Sequence, residues 1–274
     1  MIGRSRSPGV VGLRRRVAAP WLGMAVAAIL FFLFAPVLVI VAFSFHDSLS
    51  LSLPFQGFSL RWYAHIFGSE QFLRAMRNTV VVGAFTSVAA LLVGTLAAYG
   101  LTRYPFRARP AVMAAVTAPI ALPPLFIGLS LLAFFTLSGV RLSLLTVVVG
   151  HLLYTIPYFV LVVVARLDRF DWSMEDAARD LGASAWQAFR LVTFPQIAPA
   201  LIGGAILVFA LSFDEFLITF FVIGTDSTLP MLIWSSMRRS LDPSVNAMAV
   251  VVLVASMLIV LVTNRFLRLN EIRL

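Results

Sequence analysis

The chain has 274 residues, 61% apolar and 12% charged, with a net charge of +9 and no cysteine. Soluble domains carry roughly a quarter charged residues, so the composition points to a bilayer, and the lack of Cys excludes disulfides, thiolate metal sites and cysteine nucleophiles. Every basic residue is Arg; without Lys there is no Walker A phosphate loop, Schiff base or kinase-type lysine, so any ATP used is bound by another chain.

A hydrocarbon core about 30 Å thick takes about 20 mostly apolar residues per helix. Six segments qualify: 21–45, 77–102, 110–137, 142–165, 199–223 and 245–267. The expected fold is an all-α polytopic membrane protein, with an Arg-rich segment 1–20 ahead of a six-helix domain 21–274. The first apolar run follows Arg14, Arg15 and Arg16. It is too long for a signal peptide and lacks a small-residue cleavage site, so it reads as an uncleaved span.

With the N-terminus in the cytoplasm, 15 of the 21 arginines fall inside, as the positive-inside bias requires. Both termini are then cytoplasmic, topology accounts for the net charge, and nucleic acid is not an expected partner. The outer segment 46–76 is too polar to span. Leu60-Arg61-Trp62-Tyr63, Ile66-Phe67 and Phe72-Leu73 recur there at helical spacing. Two readings stand: an amphipathic helix on the outer leaflet, or an ordinary packed loop.

In the third span Pro119, Pro123 and Pro124 predict a kink. His151, Tyr154 and Pro157 interrupt the fourth with one polar stripe. These two polar residues are candidates for a translocation pathway, although a lone His is more often a hydrogen-bonded packing residue. His46 and His65 are isolated, so neither a metal nor a cofactor is expected.

Between 166 and 199 the pattern turns amphipathic. Ser173 with Asp176, and Ser184 with Gln187, each resemble a capping box. Gly182 suits the end of a first short helix. A second is expected from Ala185 to Phe194, stopping at Pro195, with Pro199 in the first turn of the fifth span. Trp172, Met174, Leu181, Trp186 and Phe189 exceed the apolar surface a free loop should show to water, which marks either a partner site or packing against the chain's own spans.

Asp214 and Glu215 are the only acids within a span, about fifteen residues or roughly 22 Å along the fifth. A carboxylate near mid-helix costs about 2.5–3.5 kcal/mol. Either they line a pathway for a cationic substrate, or they bond to neighbouring spans or to water near the outer surface. Gly203-Gly204 suit close helix packing.

The polar loop resembles the EAA motif of ABC-importer permeases. Glu175 precedes Asp176-Ala177-Ala178; Gly182 follows three residues on, and after nine more comes Val192-Thr193-Phe194-Pro195. The motif's acid is here Asp, and its Ile and Leu positions are Val and Phe, which keeps charge and apolarity. Asn78-Thr79, Tyr99-Gly100, Pro119 to Gly128, Ser212-Phe213-Asp214-Glu215-Phe216, Leu229-Pro230 and Pro243 to Ala247 are similar to the spermidine/putrescine permease branch. That resemblance implies a transport subunit of the bacterial inner membrane with no ATPase site of its own. Its implied partners are an ATP-binding subunit pair on loop 166–199, a homologous second permease, an outer solute-binding protein, and membrane lipid. It implies a polyamine substrate; an opine-like compound, an amino-acid derivative and secondary transport are the alternatives.

Overall fold

A computed structural model describes residues 20–48, 55–239 and 243–271, which leaves the Arg-rich segment 1–19 and Arg273 outside the described residues. Among the described residues the architecture is helical. In order come α1 (Pro20–Ser44), α2 (Arg61–Gly68), α3 (Glu70–Arg103), α4 (Arg109–Thr117) with a 3-10 turn (Ala118–Ala121), α5 (Pro124–Leu137) and α6 (Leu144–Leu167). Then follow α7 (Ser173–Asp180), α8 (Ala185–Ala188) with a π turn (Phe189–Thr193), α9 (Phe194–Asp214), α10 (Leu217–Val222), α11 (Leu229–Arg239) and α12 (Ser244–Glu271). Among the described residues five helices are long and apolar enough to cross a membrane, or up to six spans if one bent pair counts as a span.

The centre of the molecule is the trio α3, α6 and α9. Lipid tails are as apolar as any side chain, so helices in a bilayer associate through close packing and polar contacts rather than through escape from water. The α3 sequence follows that rule. Its inner stripe, including Ala75, Gly83, Thr86, Ser87, Ala90, Gly94 and Ala98, is small and buried. The opposite face, Phe85, Val88, Leu92 and Leu96, is large and exposed. Phe159 of α6 fills the space the small residues leave and is fully buried. A Cβ at Gly94 would overlap the Phe159 ring, and one at Gly204 of α9 would lie 2.9 Å from it. One aromatic ring thus keys three helices together.

Two expected boundaries are corrected. The third span is not one kinked helix: α4 with its 3-10 turn meets α5 at 102°. A residue before proline is driven to extended backbone; Leu122 and Pro123, each followed by a proline, have ψ of 130° and 135°. The fifth span is not continuous over 199–223, because helix ends at Asp214, Glu215 is extended with ψ 115°, and α10 begins at Leu217. The helix that carries the second span begins at Glu70, ahead of the expected 77, with Ser69 accepting the Phe72 N–H. Pro157, by contrast, leaves α6 unbroken.

The segment before α3 does contain an amphipathic helix, and it packs on protein. Trp62 and Ile66 of α2 join Phe72, Ala75, Leu229, Leu232 and Met248 in one buried cluster. An antiparallel bridge from His46 to Phe58 holds the entry to α2, and the Trp62 indole donates to the His46 carbonyl at 2.8 Å. Asn78 and Thr79 clasp the start of α11: the Asn78 amide donates to the Ser227 carbonyl at 2.9 Å, and the Leu229 N–H donates to the Thr79 hydroxyl at 2.8 Å.

The Phe159 lock generates a stability prediction. Gly94→Ala should lower the thermal unfolding midpoint of the purified protein in detergent, with an overpacking cost of about 1–3 kcal/mol. Gly23→Ala, where a Cβ meets nothing within 4 Å, is the control and should leave it unchanged. Adding Phe159→Leu to Gly94→Ala should recover part of the loss.

Candidate functional site

The loop between α6 and α9 is compact. Asp171 opens it: its carboxylate accepts the Ser173 N–H at 3.0 Å, and the Ser173 hydroxyl and N–H hold that carboxyl below its ordinary range. Ser173 is therefore the first residue of α7 rather than its cap, and the expected Ser173–Asp176 capping box does not form. Gly182 turns the chain with φ +94°, a left-handed value that costs a residue with a Cβ about 1 kcal/mol or more. The Ser184–Gln187 box is present: the Gln187 N–H donates to Ser184 Oγ at 3.3 Å, and the Ser184 N–H to Gln187 Oε1 at 2.8 Å.

Pro195 does not end the second helix. Residues Ala185–Asp214 run as a single 30-residue helix, with the π turn ending at Thr193, two residues before Pro195. Proline offers no N–H and crowds the carbonyl four residues back; a wider π turn relieves that crowding without breaking the helix. Pro199 accordingly lies inside α9 rather than in its opening turn.

The residue that organises the loop is Glu175, 2% exposed. Its Oε1 accepts the Tyr99 hydroxyl at 2.8 Å and the Arg103 Nε–H at 3.3 Å, both from α3. Its Oε2 accepts the hydroxyl of Thr193 in the π turn. Arg103 also pairs with Asp176 and lies over the Trp172 ring, 5.2 Å from its centroid. The Tyr99 ring meets those of Trp172, at 5.7 Å, and Phe189, at 5.3 Å. Beside this, Arg166 Nε donates to the Gln196 carbonyl at 3.1 Å and Arg109 pairs with Asp168 at 3.0 Å. A buried carboxylate needs opposite charge and hydrogen bonds, and Glu175 finds both on α3.

The candidate residues of this loop thus divide. Glu175 faces inward; Asp176 is half exposed; Ala177 lies on the surface and Ala178 is partly covered. Trp172 and Phe189 pack inside. Leu181, 91% exposed, Trp186, 65% exposed, and Met174 form the outward face, joined by Leu191. The packing role is seen for Trp172 and Phe189, while Leu181, Trp186 and Met174 stay uncovered in this chain. Tyr99, Arg103 and Thr193 are partners that reading the loop alone misses; Tyr99 stood out only as part of a resemblance, with no role attached.

The membrane candidates lie around the α9–α10 break. Asp214 ends α9, exposed, with the Ser256 hydroxyl of α12 at 3.4 Å from both oxygens. Glu215 turns the other way and caps α10, accepting the Ile218 N–H at 2.9 Å. The two acids therefore do not face one site. His151 is 1% exposed, and its ring nitrogens meet the hydroxyls of Ser212, at 2.7 Å, and Thr219, at 2.8 Å, which ties α6 to both sides of the break. Tyr154, one turn on, is half-buried against Tyr158, with ring centroids 5.6 Å apart. Among the described residues no three His, Asp or Glu side chains converge to hold a metal.

Removing Glu175 should be costly. Glu175→Ala leaves the Tyr99 and Thr193 hydroxyls without their acceptor and Arg103 with Asp176 alone, and each buried group so orphaned costs about 1–3 kcal/mol. Limited proteolysis of the purified protein should cut within 171–193 far sooner than in the wild type. Glu175→Gln, whose single carbonyl oxygen keeps an acceptor for one of the two hydroxyls, should fall between the two.

Residues 90–274 match the model of the family described as binding-protein-dependent transport system inner membrane component. The chain is 32% identical over 247 residues to the spermidine/putrescine transport system permease protein PotC of Escherichia coli (strain K12), covering 90% of this chain and 93% of that one. To the putrescine transport system permease protein PotI of the same organism it is 35% identical over 245 residues, covering 86% and 87%. Its fold superposes on a chain of a bacterial ABC transporter involved in the import of the acidic polysaccharide alginate with a TM-score of 0.69, 16% identity, and 90% and 95% of the two chains covered. With the apolar helices, the loop and these likenesses together, the chain belongs to the family of multi-pass inner-membrane components of binding-protein-dependent transport systems.

Proposed function

We propose that this chain is a permease subunit of a bacterial ABC importer that moves putrescine or spermidine, with the α7–α8 loop as the seat of a separate ATPase. The observation that carries the reading is the Glu175 junction. A partner pressing on Leu181 and Trp186 moves α7, and α7 is bonded through Glu175 to α3 and to the π turn that leads into α9. A push on the loop therefore becomes motion of the helical trio and not local bending. The Arg-rich end of the molecule, with Arg103, Arg107, Arg109, Arg166, Arg169, Arg179 and Arg190, is placed in the cytoplasm by the positive-inside bias, with both termini there.

The opposite end, with α2 and the start of α11, then faces outward and receives the substrate from a solute-binding protein. Five or six spans enclose a pathway poorly, so a homologous second permease completes the assembly with pseudo-twofold symmetry. The polyamine assignment is supported by the substrates in the names of the PotC and PotI relatives. Asp214 is the acid placed to meet a cation in the pathway; Glu215, committed to α10, holds the break in shape. Tyr154 lines the same region from α6, while the buried His151 braces the break through Ser212 and Thr219.

The reading is tested by uptake of labelled putrescine and spermidine in cells with and without this gene, the rest of the transporter intact. Deletion should abolish uptake. Asp214→Asn should lower uptake at least severalfold, while unchanged uptake on deletion would discard the polyamine assignment.

A further inference from the structure

The break after Asp214 brings together an aromatic group that the loop mechanism does not use. Phe216 sits in the break, directly after Glu215, and Phe220 lies one turn into α10. Both rings rest on Trp234 of α11, at 5.5 and 5.2 Å between centroids, and on each other at 5.8 Å. The indole also carries a cation: the Arg238 guanidinium lies over it, 4.2 Å from the ring centroid. Helical spacing accounts for Arg238 meeting Trp234 four residues earlier. Phe216 and Phe220 reach the same indole from a different segment, just past the interruption of helix at 215–216.

A π face attracts ammonium and guanidinium groups within about 6 Å, and Trp does so best. Phe220 and Arg238 are exposed and Trp234 only partly covered, so the group lies at the surface of this chain. The adjoining residues in the chain are the carboxylates of Asp214 and Glu215. Rings with the exposed Asp214 two residues before the first of them in the chain suit a linear molecule bearing more than one ammonium. The rings hold a cation without fixing its hydrogen-bond geometry, and a transport site needs binding weak enough to release.

We propose that Phe216, Phe220 and Trp234 form a platform for one ammonium group of a linear di- or triamine, and that Arg238 is its tethered competitor. The guanidinium covers the indole while the site is empty and gives way when the substrate ammonium arrives beside Asp214. The proposal rests on the organic-cation reading above. It adds the aromatic binding group and a residue that opposes occupancy.

The test uses the complete transporter in proteoliposomes, with its ATPase, second permease and solute-binding protein, and labelled putrescine as probe. Trp234→Phe keeps a π face and should retain the maximal rate within about twofold, whereas Trp234→Leu, apolar without a π face, should lower it by roughly threefold to tenfold, the range such a contact covers. Arg238→Gln, an exposed change that does not threaten folding, should raise uptake when the loaded binding protein is limiting. Equal rates for Trp234→Phe and Trp234→Leu, or an Arg238→Gln variant indistinguishable from wild type, would overturn the platform while the polyamine reading stands. A wild-type transporter that moves neither putrescine nor spermidine would overturn both.

Discussion

A carboxylate taken out of water must be matched by charge and hydrogen bonds at fixed positions, and Glu175 is matched by groups from outside its own helix. Tyr99 and Arg103 come from α3, and Thr193 from the π turn that leads into α9. The consequence is mechanical. Helix α7 is too short to be stable alone, yet it cannot shift without stranding Arg103 or dragging α3 with it. A hydrogen-bonded charge pair in a site of low dielectric resists such separation far more than apolar contact does. The rest of the loop assumes this anchorage: Gly182 and the Ser184 cap shape a surface that is of use only because the layer beneath it is held.

The trio of spans carries the same logic into the bilayer. Phe159 occupies space vacated by Gly94 and Gly204, so α3, α6 and α9 interlock where no hydrophobic driving force operates between helices. Anchored at one end by Glu175 and locked midway by Phe159, the three helices form one unit. By contrast, α5 and α10 stand behind breaks at 122–123 and 215–216 and pack on each other. Discontinuous helices in transporters place backbone and side-chain polarity beside a pathway, and both acids of the fifth span lie at such a break.

Much of this was legible in the chain because the bilayer imposes a length. Apolar runs of about 20 residues located the spans. Pro123 and Pro124 announced a bend, though its 102° extent depends on both prolines extending the residue before them. The break at Glu215 had no Pro or Gly to signal it; the only trace was an acid pair in apolar surroundings, which reads equally well as a pathway. Pro195 misled in the other direction, since a π turn absorbs a proline that would otherwise end the helix. Asp171 and Ser173 both carry a capping oxygen, and local pattern alone favoured the wrong one. Least legible was the contact of Glu175 with Tyr99, separated by 76 residues, for which a single sequence holds no local cue.

The central claim, that the loop and α3 move as one body, is tested most directly by a distance across the Glu175 junction. The chain has no cysteine, so spin labels on Leu181→Cys and Leu96→Cys, both at exposed positions, would be the only thiol labels on this subunit. In the assembled transporter their separation should be the same without nucleotide and with ATP trapped. A change approaching one helical turn, about 5 Å, would contradict the account, because the loop would then flex on α3 instead of carrying it.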